Sequence, residues 1–164
     1  MPQRIVVDPA LDPVRIPSRV FNEIASHARE TLPEECCGLV TGTRTQPFRA
    51  VHRCRNEMTR MHERDPRQHP RDGSEAFHMN EGDYLAAAKQ ADAHGEVVTA
   101  VYHSHPGIGV YFSELDQAYA SQELFPFPGA DHIVVSIIDG RVQAGLFQRS
   151  GGGFIGRALE PAAW

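Results

Sequence analysis

Residues 97–116 read VVTAVYHSHPGIGVYFSELD and join an apolar run to side chains that can bind a metal ion. The first six of these residues are mostly β-branched and apolar, which predicts a buried strand over 97–102. His103 and His105 leave the end of that strand, and side chains two residues apart in a strand point to the same face. Both imidazoles can therefore converge on one point. Pro106, which cannot donate a ladder hydrogen bond, helps to end the strand after them.

A serine and an aspartate follow the two histidines across a short loop. Ser113 is predicted to begin a helix whose first turn contains Asp116, and the same Ser-x-x-Asp spacing is common where a serine caps a helix. Capping and metal binding are compatible roles for this pair. Two imidazoles and one carboxylate suit zinc and leave a fourth tetrahedral position for water. We therefore expect an open metal site formed by His103, His105 and Asp116.

Candidates for a catalytic base lie upstream, in residues 33–42, which read PEECCGLVTG. A water molecule that attacks at a metal site needs a proton acceptor, usually a nearby carboxylate. Glu34 and Glu35 precede a short apolar run that predicts a buried strand over 37–42. The alternative is that both acids are solvated charges at the end of a helix. The residue pattern by itself does not choose between Glu34 and Glu35.

The rest of the chain alternates helical and strand patterns, which predicts an α/β or α+β fold built on a mixed sheet. An Asp-Gly pair at 139–140 is a hairpin turn signal between two of the strands. The predicted helices span residues 16–31, 80–95 and 113–123, and the further predicted strands span residues 48–54, 133–138 and 142–147.

Two segments are predicted to be irregular within one domain that covers residues 1–164. Residues 55–75 are rich in charge, proline and glycine, which favours a flexible surface loop inserted in the domain. The alternative for this segment is a flap that contacts substrate near the active site. Residues 151–164 begin with three glycines, and we expect them to form a loose C-terminal tail.

The composition narrows the functional classes. A net charge of −5 over 164 residues argues against a nucleic-acid-binding surface, which would show a basic face. No apolar run approaches the roughly 18 residues of a membrane-spanning helix, and the N-terminal sequence lacks the apolar core of a signal peptide. The three cysteines, Cys36, Cys37 and Cys54, are odd in number, which disfavours a disulfide framework. The expected location is the cytoplasm.

The acidic and metal-binding residues together resemble the active-site motifs of the JAMM (MPN-plus, JAB) metalloproteases. That family has Glu-x-x-Gly upstream, then His-x-His-Pro, then Ser-x-x-Asp. The matching stretches in this chain are Glu35–Gly38, His103–Pro106 and Ser113–Asp116. The resemblance extends over most of the chain, from the helix near Pro17 to the hairpin near Phe147. It implies a mixed β-sheet flanked by helices, with zinc at the edge of the sheet.

The resemblance also implies a role for each residue of the site. The Zn²⁺ ligands are His103, His105 and Asp116. Glu35, and not Glu34, is the general base because it lies three residues before the motif glycine. Ser113 donates a hydrogen bond to the oxyanion of the transition state. One departure from the family is Phe112, which stands where a proline often precedes the motif serine.

The compact build resembles the bacterial and archaeal branch of the family. Some of its members trim the C-terminus of ubiquitin-like sulfur-carrier proteins and expose a terminal Gly-Gly. The expected function is therefore a zinc peptidase or isopeptidase that cuts a ubiquitin-like sulfur-carrier protein at Gly-Gly. One alternative is a peptidase that acts on a cell-wall or phage-related peptide, and another is a non-catalytic MPN scaffold. The sequence leaves the oligomeric state open.

Overall fold

The computed structural model describes residues 3–163, which contain nine strands and four helices. The strands are β1 (Ile5–Val6), β2 (Val14–Pro17), β3 (Cys37–Gly42), β4 (Ala50–Cys54), β5 (Val97–Pro106), β6 (Tyr111–Phe112), β7 (Asp131–Ile138), β8 (Arg141–Ser150) and β9 (Gly153–Ala162). The helices are α1 (Ser18–Thr31), α2 (Met58–Arg64), α3 (Glu81–Ala93) and α4 (Glu114–Ala120).

Seven strands form one mixed sheet in the order β2-β9-β8-β7-β5-β3-β4. The β2–β9 and β5–β7 pairs are parallel, and the other neighbours in the sheet are antiparallel. The two short strands β1 and β6 form a separate antiparallel pair. The predicted α+β class with a mixed sheet is therefore confirmed. Within residues 3–163, no helix has the length and apolar character that crossing a bilayer requires.

Helices cover both faces of the sheet. On one face, α1 buries Val20, Ile24 and Ala28, which recur at helical spacing, against a core that contains Tyr102 of β5. On the other face, α3 packs on β3, β4 and β5 and buries Ala87 in a second cluster, while α4 lies over β7. Because side chains alternate along a strand, Tyr102 faces α1 whereas the motif histidines of β5 face the α3 and α4 side.

The strand that carries the motif is longer than its sequence predicted. The expected end was residue 102, but β5 continues to Pro106, so His103 and His105 lie inside the strand and not after it. The parallel partner β7 accounts for this extension, because its register with β5 runs as far as the Pro106–Ile137 pair. Apolar patterning misses this part of the strand because histidine, serine and proline interrupt it.

The segment 55–75 is not irregular throughout, which corrects the prediction of a flexible loop. It contains α2, and an isolated bridge between Asn56 and Met79 joins its start to the chain just before α3. The Asn56 side chain accepts a hydrogen bond from the Met58 N–H at 3.0 Å, and Arg60 pairs with Glu57 at 2.6 Å. These local polar contacts stabilise a helical turn that a search for apolar periodicity cannot find.

The predicted loose tail is also wrong over the residues that the structure describes. Gly151 and Gly152 adopt positive φ angles of 56° and 82° and form the turn between β8 and β9, so the glycines make a hairpin possible instead of loosening the chain. The strand β9 then pairs with both β8 and β2, and its Leu159 is buried in the core. Residues 1, 2 and 164, at the limits of the predicted domain, lie outside the described residues.

Candidate metal centre

The two motif histidines are held in the middle of the sheet. β5 lies between β3 and β7, and His103 is paired with Cys37 on one side and with Val134 on the other. Both imidazoles are buried, with 1% of His103 and 3% of His105 exposed. The predicted convergence of residues i and i+2 is observed, because the Nε2 atoms of His103 and His105 lie 3.2 Å apart.

Contacts behind the two imidazoles fix their orientation. The Nδ1 atom of His105 lies 3.0 Å from the carbonyl oxygen of Gly109, to which it donates, so its Nε2 presents a lone pair. The ring of Phe77 stacks on His103 with centroids 4.6 Å apart, and the Tyr111 ring lies 4.8 Å from that of His105. Both rings therefore have few alternative rotamers.

Asp116 enters the site from the first turn of α4. A capping box holds it there, since the Asp116 N–H donates to Ser113 Oγ and the Ser113 N–H donates to Asp116 Oδ2, each at 3.0 Å. Ser113 and Asp116 thus form the predicted helix cap, and Asp116 is at the same time the predicted metal ligand. Burial opposes ionisation of Asp116, but the electrostatic attraction of His103 and hydrogen bonds from His103 and from the Ser113 N–H outweigh it and hold the pKa well below its usual range.

The three donor atoms have the separations that a tetrahedral metal ion requires. Oδ2 of Asp116 lies 3.2 Å from Nε2 of His103 and 3.6 Å from Nε2 of His105. Bonds of about 2.0–2.2 Å at tetrahedral angles place two ligand atoms about 3.3–3.6 Å apart. Within the described part of the chain, this is the one group of histidine, cysteine and acidic side chains that converges in this way. The residues therefore fit a divalent cation such as zinc.

The structure separates the two candidate bases. Hydrogen bonds between Cys36 and Ser104 continue the β3–β5 pairing toward Glu35, whose side chain is buried in the cleft that His105 and Asp116 also line. Glu34 instead accepts a hydrogen bond from Thr59 Oγ1 at 2.8 Å and lines a different cavity. Burial, with the neighbouring Asp116 carboxylate, raises the pKa of Glu35 to about 9.

A cleft of about 410 Å³ surrounds these groups. One side is apolar and comes from Ile108, in the loop after β5, and from Leu115, in the first turn of α4, which are 43% and 50% exposed. The other side comes from residues 71–77, so the end of the segment 55–75 lies at the site, as the flap alternative expected. Sequence patterns singled out neither Phe77, on that side, nor Asn56, whose amide contacts Glu35.

Two solved structures share the fold. Protein DSY2949 from Desulfitobacterium hafniense has a TM-score of 0.71 at 21% identity, covering 92% of this chain and 94% of that one. A protein from Salinibacter ruber strain DSM 13855 has a TM-score of 0.56 at 23% identity, covering 91% of each chain.

Sequence comparisons identify relatives and a family. The tail tip assembly protein K of Escherichia phage N15 is 33% identical over 116 residues, which are 71% of this chain. The match spans only 38% of that phage protein. The family described as prokaryotic homologs of the JAB domain matches residues 17–149, which contain every residue of the candidate site. This chain belongs to that family of prokaryotic JAB-domain proteins.

Proposed function

We propose that this chain is a zinc-dependent peptidase that hydrolyses a peptide or isopeptide bond. The observation that carries the proposal is the buried carboxyl group of Glu35 in the cleft that is also lined by His105 and Asp116, two of the three converging donors. A structural metal site needs ligands only, whereas a hydrolytic site also needs a proton acceptor beside an open coordination position. The ligand set of two imidazoles and one carboxylate favours zinc.

The side chains of this cleft divide the work of hydrolysis between them. His103, His105 and Asp116 would hold the zinc ion, which when bound would lower the pKa of water, counteract the rise in the pKa of Glu35 and polarise the scissile carbonyl group. The Glu35 carboxylate accepts the proton of the attacking water and later returns it to the leaving amine. Ser113 Oγ accepts the Asp116 N–H, so its own O–H hydrogen is free to donate to the developing oxyanion.

We further propose that the substrate is the C-terminal tail of a ubiquitin-like sulfur-carrier protein, cut after Gly-Gly. The aromatic rings of Phe77 and Tyr111 flank the two histidines, which favours residues without side chains next to the scissile bond. The exposed apolar side chains of Ile108 and Leu115 offer contacts for a larger residue further along an extended peptide. The resemblance to the sulfur-carrier-processing branch supports the same substrate.

A second candidate substrate rests on a different observation. The identity of 33% to the tail tip assembly protein K of phage N15 favours a role in phage tail assembly, in which the same site cuts an assembly protein. A scaffold without activity is the third possibility, and the retention of all three donors and of Glu35 disfavours it.

The test is incubation of the zinc-loaded protein with a ubiquitin-fold carrier that bears extra residues after Gly-Gly, analysed by mass spectrometry. We expect a single cut directly after Gly-Gly, lost when Gly-Gly is changed to Ala-Ala. Cleavage of a tail-assembly protein but not of the carrier would support the second candidate. If neither protein nor a general peptide library is cleaved, the non-catalytic scaffold is the remaining interpretation.

A further inference from the structure

The segment that sequence patterns treated as a loop contacts the main chain of the proposed base. The N–H of Glu35 donates to the carbonyl oxygen of Gly73 at 2.7 Å, and the carbonyl oxygen of Glu35 accepts from Nδ2 of Asn56 at 3.0 Å. Both polar groups of the Glu35 peptide backbone are therefore bound by residues 56–73, outside the sheet. The position of Glu35 thus depends on this segment as well as on β3.

Asn56 is the centre of these contacts because its carboxamide uses its whole hydrogen-bonding capacity. Nδ2 donates to the carbonyl oxygens of Glu35, at 3.0 Å, and Ala76, at 3.1 Å. Oδ1 accepts from the N–H groups of Met58 and His78, each at 3.0 Å. The two carbonyl and two N–H partners allow one amide orientation only, since a flipped amide would face oxygen with oxygen.

The same amide ties the base to the opposite side of the cleft. Ala76 lines the cleft, and its neighbour Phe77 stacks on the ligand His103. Asn56 therefore links the carbonyl group of Glu35 to the carbonyl group of Ala76, the residue before the ring that stacks on His103. No other side chain type offers two donors and two acceptors on so short a stem.

We propose that Asn56 is a positioning residue that holds Glu35 in register with the metal ligands. This inference rests on the proposed function of Glu35 as the base. Small displacements of a catalytic group lower the rate of the chemical step strongly, because the reacting atoms leave the productive geometry. Loss of Asn56 is therefore expected to lower kcat more than it changes KM.

The test is a double-mutant cycle that combines Asn56→Asp with Glu35→Gln. Aspartate keeps the acceptors but turns oxygen toward the carbonyl groups of Glu35 and Ala76. We expect Asn56→Asp alone to lower kcat about tenfold or more, with KM within about twofold and unchanged zinc content. In the Glu35→Gln background, the same change should alter the residual rate by less than about twofold, because the two residues act as one unit.

The matched control is Asn80→Asp, which makes the same chemical change at the cap of α3. Asn80 contacts Glu57 and Asp83, and we expect its variant to keep the wild-type kcat. Asn56→Ser, which keeps one donor and one acceptor, is measured in parallel so that a folded variant exists if Asn56→Asp unfolds. It should lose kcat in the same direction by a smaller factor.

A readout that needs no turnover is the hydrogen exchange of the Glu35 amide in the metal-free protein. We expect exchange about tenfold faster in Asn56→Asp than in Asn80→Asp. Equal exchange rates of the Glu35 amide in Asn56→Asp and Asn80→Asp would overturn the role of Asn56. So would an equal loss of kcat on Asn56→Asp in the wild-type and Glu35→Gln backgrounds. If Glu35→Gln itself keeps full activity, the proposed function fails instead, so the two failures are distinguishable.

Discussion

The side chain of each candidate metal ligand is held in place by a contact with a neighbouring residue. The Gly109 carbonyl oxygen holds His105, the Phe77 ring holds His103, and the Ser113 N–H holds Asp116. Such supporting contacts reduce the ordering that a metal ion must impose when it binds. At the scale of single residues, the site is therefore largely preorganised.

A buried histidine remote from the metal centre makes the stability depend on pH. His27 of α1 lies 2.8 Å from the Tyr102 hydroxyl, and burial, with the charge of Arg53, lowers its pKa from 6.5 to about 4. The unfolded chain therefore binds a proton in the window between these values while the folded chain does not. Its contribution to stability is fully present above pH 6.5 and is lost as the pH falls toward 4.

The corresponding variant is His27→Gln, which keeps a hydrogen-bonding group but does not titrate. Between pH 7 and pH 5, we expect the wild type to lose about 2 kcal/mol more of its free energy of unfolding than the variant does. Urea denaturation at the two pH values measures both losses. Equal losses in the two proteins would show that His27 is not buried in its neutral form.

Elements were predictable where a residue pattern reflects burial. The strand β3 begins and ends at the predicted residues 37 and 42 because its residues are uniformly small or apolar and fully buried. Helices α1 and α3 were found from the spacing of their apolar residues and from the Asn80 cap, which accepts the Asp83 N–H. The helix α2 is stabilised by local polar contacts and lacks apolar periodicity, and the strand β9 follows a glycine run and pairs with the distant β2, so apolar patterns did not indicate either element.

The motif glycine of β3 has a packing role that spacing alone does not explain. A Cβ atom on Gly38 would lie 2.5 Å from the His52 carbonyl oxygen and closer still to the Tyr102 ring. Gly38 is paired with Tyr102 across β3 and β5, next to the Cys37–His103 pair that carries the site. Any side chain here would push apart the two strands that hold Glu35 and the histidines.

We therefore expect Gly38→Ala to destabilise the protein by about 1–3 kcal/mol and to weaken metal binding. Denaturant unfolding measures the first effect and a zinc titration the second. The control is Gly129→Ala, where a Cβ atom would meet nothing within 4 Å and stability should hardly change. Equal stability of the two alanine variants would contradict the packing role.

On the scale of the whole molecule, the site lies where chain segments distant in the sequence meet. Glu35 lies just before β3, and the histidines lie on β5, which pairs with β3. Asp116 lies in the first turn of α4, and residues 71–77 form the opposite side of the cleft. The sequence predicted the convergence of His103, His105 and Asp116 because their spacing follows from strand and helix geometry. It offered a flap near the active site only as an alternative for the segment 55–75, and it did not single out Phe77 or Asn56, since their positions depend on tertiary contacts.

The apolar side of the cleft should govern which peptides are cut. Changing Ile108 or Leu115 to serine removes an exposed apolar contact beside the metal ligands. We expect kcat/KM to fall about tenfold for peptides with a large apolar residue near the scissile bond, and to stay unchanged for peptides of small residues. The control is Leu124→Ser, since Leu124 is 92% exposed and lies outside the cleft lining. Equal kcat/KM values for both peptide classes would rule out an apolar subsite.

The most direct measurement determines zinc content and peptide hydrolysis on the same sample of Glu35→Gln, beside the wild type and His103→Ala. We expect about one zinc per chain in the wild type and in Glu35→Gln, with hydrolysis in Glu35→Gln about 100- to 10,000-fold slower. His103→Ala should lose both zinc and activity. Wild-type hydrolysis by Glu35→Gln, or zinc binding that survives in His103→Ala, would contradict a metallopeptidase built on these residues.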